Sequence, residues 1–313
     1  MPEPKDAYTL EDLRDWSAAT SDLERPARLA VIGDPVAHSL SPAMHNAALA
    51  AAGIDLCYVR IRLAPEELSE GVERMQAAGF VGFNATIPHK AAVRELVDET
   101  TEVAGRIGAV NTVAFENGAV VGHNTDGPGL RRAVREAFSM DLGELRVLVL
   151  GAGGGAGRAA AVQCAMDRCE RLVLANRTEE KARALANELS AILHDADRLA
   201  GPSDRLVAIP WEERALEREL GQVDLIVNAS SLGMKRTDPD VLPQRLVQPH
   251  HLVFDMVYSP PRTRLMAEAE AEGARTCNGL GMLLWQGVLA YEFWFNREAP
   301  VEEMRRALAA AAA

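Results

Sequence analysis

Residues 147–156, VLVLGAGGGA, run from an unbroken aliphatic stretch into a cluster of glycines, and an alanine-rich helical pattern follows. No other feature of the chain constrains its fold as strongly. A short aliphatic run closed by glycine reads as a buried strand, and the sharp passage into a helix reads as part of a βαβ unit. Gly151, Gly153 and Ala156 fit the spacing GxGxx[G/A]. The first position lets the chain turn, the second lets backbone approach a pyrophosphate, and the third keeps helix and strand close. Amides at the helix start would then face the phosphates. Glycine clusters also occur in plain turns; the strand before and the helix after separate the two readings. Gly151, Ala152, Gly153, Gly154, Gly155 and Ala156 are therefore expected to form a dinucleotide cradle.

The end of the next strand selects the dinucleotide. An acidic residue there holds the ribose hydroxyls of NAD, whereas arginine accommodates the extra phosphate of NADP. The segment reads RLVLANRTEEK, with Arg177 at the strand end and Glu179 and Glu180 already inside the following helix. Asn176, Thr178 and Lys181 are its polar neighbours. A guanidinium suits phosphate by its paired donors, so NADP is the expected cofactor. Arg158, in the first helical turn, reads either as a phosphate contact or as a solvated residue.

Around this unit the chain alternates strand and helix patterns, which predicts an α/β protein. Residues 28–33, 57–63 and 79–86 read as strands, with helices over SPAMHNAALAAAG, from Pro65 to Ala78, and after His89. Ser41 is the expected cap and Pro42 the first helical residue of SPAMHNAALAAAG. Asn117-Gly118 between two apolar runs predicts a hairpin within 110–124. Later strands are expected in ELRVLVLG, RLVLANR, DLIVNAS and HLVFDMVY, and two helices from about Leu280, broken near Pro300. Residues 191–210 read as a polar surface excursion. The expected organisation is a peripheral extension over 1–27, a discontinuous α/β substrate domain over 28–126 and 279–313, and a Rossmann-like NADP-binding domain over 127–278 inserted into it.

Composition narrows the function classes. The formal net charge is −12, which argues against nucleic-acid binding. Cys57, Cys164, Cys169 and Cys277 form no disulfide-scaffold or metal-ligand spacing, and read as small hydrophobes. No metal site is expected. The N-terminal segment has no signal-peptide apolar core, and no stretch reaches the length of a membrane span; the expected location is the cytoplasm, with no membrane partner. The Ala-rich helices suit a monomer or a homodimer equally.

Polar residues cluster just after apolar runs in the first domain: Ser39 and Ser41; Asn84, Thr86 and Lys90; Asn111 and Thr112; Asn124, Thr125 and Asp126. Strand carboxyl ends form the ligand crevice of open α/β sheets. Each residue also has a plainer reading, as a cap, a turn residue or a surface lysine. Oxidation of an alcohol needs a group that takes the hydroxyl proton, and a Lys–Asp pair can supply it, the carboxylate orienting the amine. His89 and His123 are the other candidate bases.

IGDPVAHSLSPAMHNAAL (32–49), GFNATIPHK (82–90), IGAVNT (107–112), GHNTDGPGL (122–130), NASSLGM (228–234), DMVYSPPRTRL (255–265) and NGLGMLLWQGVLAYEFW (278–294), in this order, resemble the shikimate dehydrogenase family. Ala85 stands where the family usually has valine, and Asn278 where it usually has aspartate or glycine. The resemblance implies that the Ser39 and Ser41 hydroxyls hold a substrate carboxylate. It implies that Thr86, Asn111 and Gln286 bind ring hydroxyls and that Tyr258 reaches the substrate. Lys90 is then the catalytic lysine and Asp126 its partner, also bonded to a substrate hydroxyl. Asn228 and Ser230 would border the nicotinamide, with backbone near Met256 and Gly279 meeting it. The implied reaction is the reversible NADPH-dependent reduction of 3-dehydroshikimate to shikimate, in the route to chorismate and aromatic amino acids. The alternative is a quinate/shikimate dehydrogenase of broader substrate or cofactor range.

Overall fold

The computed structural model describes residues 5–193 and 205–313. The chain divides into two compact units, Met1–Thr125 with Gln286–Ala313, and Asp126–Trp285.

The first unit begins with two short helices, α1 (Leu10–Arg14) and α2 (Trp16–Ala19). Thr9 and Asp12, three residues apart, form a capping arrangement: the Asp12 carboxylate accepts from the Thr9 amide at 2.9 Å and from its hydroxyl at 3.0 Å. The segment is not peripheral. Tyr8, Leu10, Leu13 and Trp16 are buried in the core of this unit, and the Trp16 indole donates to the Ala27 carbonyl at 3.0 Å.

There follow β1 (Ala27–Gly33), α3 (Ser41–Ala51), β2 (Cys57–Arg62), α4 (Leu68–Ala77), β3 (Gly82–Ala85), α5 (Lys90–Arg94), β4 (Glu99–Thr100), α6 (Glu102–Ile107), β5 (Thr112–Glu116) and β6 (Ala119–His123). The sheet order is β2-β1-β3-β5-β6-β4. β1 pairs in parallel with β2 and β3, while β3–β5 and β5–β6 are antiparallel. Asn117 and Gly118 both have positive φ, 51° and 86°, as the tight turn between β5 and β6 requires. Ser41 does not cap α3; it is the first helical residue, after Leu40. Pro42 still sits in the first turn, where a missing amide hydrogen costs nothing.

The second unit contains α7 (Asp126–Phe138), β7 (Arg146–Leu150), α8 (Gly155–Met166), β8 (Arg171–Asn176), α9 (Glu179–Leu193), β9 (Leu206–Pro210), α10 (Glu213–Leu220), β10 (Leu225–Asn228), β11 (Leu252–Asp255), α11 (Arg264–Ala271) and β12 (Arg275–Cys277). Its sheet is parallel throughout, in the order β12-β11-β10-β7-β8-β9. Sheet strands covered by helices on both faces read as continuous aliphatic runs, and Val147 to Leu150 and Leu225 to Val227 are fully buried. The polar stretch 191–210 conceals β9, which pairs with β8 at the sheet edge; residues 194–204 lie outside the described residues. The division between units falls within α12 (Leu280–Phe295), and α13 (Val301–Ala312) packs against α3 in the first unit.

All four cysteines are free, Cys164 and Cys169 fully enclosed. Among the described residues no helix is long and apolar enough to cross a membrane, and no three His, Cys, Asp or Glu side chains converge as a metal site.

Candidate active site

In the first unit, strand register assembles the polar residues. Ile32 pairs with Ala85, so the segments that leave β1 and β3 emerge side by side. They are tied by Thr86 N–H to the Ile32 carbonyl (2.9 Å) and Asp34 N–H to the Ile87 carbonyl (3.0 Å). β5 runs the other way, and Asn84 faces Thr112. Asn111 therefore enters the sheet beside Ala85, whose amide donates to its carbonyl at 2.8 Å. Thr112 faces His123, which brings Asn124 and Thr125 to the same edge. The segments that carry Ser39 and Ser41, Thr86 and Lys90, Asn111, and Thr125 thus leave or enter the sheet along one edge, formed by the carboxyl ends of β1, β3 and β6 and the start of β5.

That edge is braced by buried hydrogen bonds. The Tyr58 hydroxyl donates to Asn84 Oδ1 at 2.7 Å, and Asn84 Nδ2 donates to Thr112 Oγ1 at 3.0 Å. Thr112 Oγ1 donates to Asn111 Oδ1 at 3.0 Å, and Asn111 Nδ2 donates to Thr125 Oγ1 at 2.9 Å. Burial pushes the Tyr58 phenol well above its ordinary pKa, against the opposing hydrogen bond with the Ser41 side chain. Arg60 donates to the Ser39 carbonyl through Nε (3.0 Å) and Nη2 (2.7 Å). The Asn46 amide group bonds both backbone polar atoms of Tyr58, fixing α3 on β2. Both serines are thus set on anchored backbone. Gln286 is nearly buried and belongs to this unit; its neighbour Gly287 lies against Met44 and His45 of α3.

Two candidate bases are occupied otherwise. His89 is buried with Nε2 on the Leu63 carbonyl at 2.8 Å. His123 bonds Thr101 Oγ1 through Nδ1 at 2.8 Å and stacks on Phe293, and burial pushes it down to about 4. Lys90 is the amine that this edge presents, half-buried at the start of α5.

In the second unit, the chain reverses its direction across the sheet at β7. β8 and β9 lie to one side, β10, β11 and β12 to the other. Such a switch point opens a crevice at the strand carboxyl ends. The glycine turn lies there. Gly151 has φ +83°, and a β-carbon on it would stand 3.2 Å from Ser230 of the β10 loop. At Gly153 a β-carbon would press on Asn176 Nδ2 and Lys181 Cβ, both at 2.9 Å. Gly154 precedes α8 in extended conformation and no side chain caps the helix; a β-carbon at Gly155 would meet only open space. The amides of the first helical turn lack intrahelical acceptors. The site therefore offers donors, a positive helix end and room, which fits a dinucleotide pyrophosphate.

Beside it, Asn176 Oδ1 accepts from the Gly153 amide at 3.2 Å, and its Nδ2 donates to the Thr178 carbonyl at 2.8 Å. Arg177, Thr178 and Lys181 are exposed, and among the described residues Arg177 and Lys181 form no ion pair. Two exposed cations at the strand end fit an extra phosphate. Arg158 is committed elsewhere, to Glu188 at 2.6 Å.

The third cluster closes the β10 and β11 ends. Asn228 Oδ1 accepts from the Ser230 hydroxyl at 2.7 Å, and the Met256 amide donates to the Asn228 carbonyl at 2.9 Å. Gly279 N–H donates to the Val257 carbonyl at 3.2 Å. Tyr258 is half-buried, and burial raises its phenol. Asn278 Oδ1 accepts from the Leu280 amide at 3.1 Å, two residues on, in a turn of the kind asparagine favours that leads into α12. Asp126, buried, opens α7 of this unit.

Sequence reasoning passed over Tyr58, Asp255 and Thr263. Tyr58 is hidden within an apolar alternation. A signal existed for Asp255, because a carboxylate interrupts the apolar run HLVFDMVY.

The chain matches the shikimate dehydrogenase substrate binding domain over residues 31–113, shikimate / quinate 5-dehydrogenase over 132–207 and the shikimate 5'-dehydrogenase C-terminal domain over 279–309. It is 44% identical over 280 residues to the shikimate dehydrogenase (NADP(+)) of Methanopyrus kandleri, covering 89% of this chain and 93% of that one. A crystal structure of a shikimate dehydrogenase in complex with NADP+ superposes with a TM-score of 0.83 at 36% identity, covering 92% and 96% of the two chains. That of the Thermus thermophilus enzyme in complex with NADP(H) and shikimate gives 0.78 at 37%, covering 91% and 99%. With this identity over nine-tenths of its length, the chain belongs to the shikimate dehydrogenase family.

Proposed function

We propose that this chain is an NADP-dependent shikimate dehydrogenase that interconverts shikimate and 3-dehydroshikimate. The observation that supports the reading is the register of β1, β3 and β5, which brings the segments carrying Ser39 and Ser41, Thr86 and Lys90, and Asn111 out at the same ends of neighbouring strands. Two hydroxyls suit a carboxylate. A further hydroxyl and an amide suit ring hydroxyls, and one amine suits proton transfer. Residues 28–125 with Gln286 form the substrate side of this reading, and the second unit the cofactor side.

The turn from Gly151 to Ala156 cradles the pyrophosphate, with the Gly155 and Ala156 amides at the start of α8 as its donors, and Asn176, Arg177, Thr178 and Lys181 surround the 2′-phosphate. Asn228, Ser230, Met256 and Gly279 border the nicotinamide. When bound, NADP supplies or accepts the hydride. Lys90 takes the proton from the reacting hydroxyl during oxidation and returns it to the oxygen during reduction. Asp126 binds a substrate hydroxyl and supports the charge of the lysine. Ser39 and Ser41 orient the ring by its carboxylate, Thr86, Asn111 and Gln286 by its hydroxyls, and Tyr258 reaches the substrate. Holding the reactants in one geometry supplies much of the acceleration.

Initial rates with shikimate and quinate, each with NADP+ and NAD+, test the proposal. Turnover confined to shikimate with NADP+ is expected. In Arg177→Ser the NADP+ advantage should shrink at least about tenfold, the order of a charge-assisted hydrogen-bond pair. Comparable rates with quinate or NAD+ would place the chain in the broader branch, and silence in all pairs would overturn the reading.

A further inference from the structure

The buried carboxylate of Asp255 takes no part in the chemistry above, yet it accepts three hydrogen bonds at the carboxyl ends of β10 and β11. It is fully enclosed. Oδ1 accepts from Asn228 Nδ2 at 2.9 Å and from the Val257 amide at 3.1 Å; Oδ2 accepts from the Thr263 hydroxyl at 2.6 Å. Each donor belongs to a different segment. Asn228 ends β10 and is the register partner of Asp255 across the sheet. Val257 lies in the segment that carries Met256 and Tyr258. Thr263 caps α11, accepting from the Met266 amide at 3.3 Å. Asn228 extends the set, because its Nδ2 also donates to the Leu232 carbonyl at 3.1 Å and its Oδ1 accepts from the Ser230 amide and hydroxyl. Gly233, with φ +102°, brings the same loop within 4.0 Å of Asp255 Oδ2, measured from where a β-carbon would stand.

We propose that Asp255 is a positioning residue for the nicotinamide half of the cofactor site, joining the 228–234 and 256–263 segments through Asn228, Val257 and Thr263. The proposal rests on the cofactor reading given above. Stability alone does not account for a charge here. Burial raises the Asp255 carboxyl above its usual range despite three hydrogen bonds that lower it, so the ionised form costs free energy that a neutral amide would not. What the carboxylate provides is acceptor capacity on both oxygens. Asparagine is nearly isosteric but turns one acceptor into a donor, so the Thr263 hydroxyl would have to accept from it, reversing that bond and leaving the hydroxyl proton without its acceptor. The remaining links to Asn228 and Val257 survive the exchange, so the fold persists while the junction loses its register.

The test separates the two halves of the site by ligand. Adenosine 2′,5′-bisphosphate reads only the Arg177 end, whereas NADP+ reads both. In Asp255→Asn and Thr263→Val, Kd for the bisphosphate should stay within about twofold of wild type, while Kd for NADP+ weakens about tenfold, the order of one hydrogen bond to a charged group. Thr263→Ser, which keeps the hydroxyl, should restore NADP+ binding. If affinity for both ligands falls in parallel, or for neither, Asp255 has no positioning role and the proposal is overturned. Should the wild-type chain itself fail to bind the bisphosphate, the cofactor reading fails first and the proposal falls with it.

Discussion

Lys90 leaves the sheet edge at the start of a five-residue helix, and its carbonyl accepts from the Val110 amide at 2.9 Å. The backbone beneath the amine is therefore held independently of its side chain. Lys90→Ala should lower kcat by about 10²–10⁴, the usual worth of a positioned acid–base group. NADP+ affinity, measured by fluorescence titration, should change by less than about twofold; an equal loss in binding would remove Lys90 from proton transfer. At this scale the sequence was most legible where residue type and spacing mark a local turn, as at the glycine turn and the end of β8 beside Arg177. It was least legible where a polar atom works through another. Tyr58 acts by holding Asn84 and touching Ser41, partners that lie 26 and 17 positions away in sequence, and only the register of β1, β2 and β3 joins them. Ser41 was misplaced by one position for a similar reason. Capping residues and first-turn residues share a composition, and the Ser39 hydroxyl, which accepts from the Ser41 amide at 3.3 Å, decides between them.

Elements were readable in proportion to their burial. β7 and β10 are continuous aliphatic runs and announce themselves. β9 is an edge strand with four of its five residues only half-buried, preceded by a polar segment, so no periodicity marks it. The N-terminal segment misleads in the opposite way. Its charged residues suggest an appendage, but Tyr8 extends the edge of β2, with its amide donating to the Arg60 carbonyl at 2.8 Å and its carbonyl accepting from the Arg62 amide at 2.8 Å. Trp16 then packs between Tyr8 and Phe80, with ring centroids at 4.9 and 5.2 Å. A buried indole that also satisfies a backbone carbonyl is not dispensable. Trp16→Ala should cost about 3 kcal/mol and lower the melting temperature of the first unit by roughly 6–12 °C. Differential scanning calorimetry checks this; a shift within about 2 °C, below what such a loss allows, would show that α1 and α2 add nothing to the core.

At the scale of the whole molecule, the two units should respond differently to acid. His45 in the first unit is fully buried, stacked on Tyr58 at 4.4 Å and tilted against Trp294, with Nε2 lacking a partner among the described residues. Burial alone pushes it down to about 3, and pushes His123 of the same unit down to about 4. The neighbours described for these rings are aromatic side chains and the Thr101 hydroxyl, not charged groups. In the unfolded chain both titrate near the ordinary histidine value of about 6.5. Between that value and the depressed ones the unfolded chain binds more protons, so the stability these rings permit is full above about pH 6.5 and is lost as pH falls. From pH 7 to pH 5 the loss is about 2 kcal/mol for each histidine. In the second unit the terms oppose each other. Burial lowers His251, which acts in the same sense, whereas the raised carboxyl of Asp255 makes that unit gain stability as pH falls toward the ordinary carboxylate range. Calorimetric scans from pH 7 to pH 4 should therefore show the first unit's transition descending more steeply than the second's. His45→Leu, which removes the titrating ring and its unpaired nitrogen together, should flatten the descent of the first transition by about half, since His123 supplies the rest. A descent of unchanged slope in that variant would mean that His45 opens to solvent and takes up its proton in the folded state.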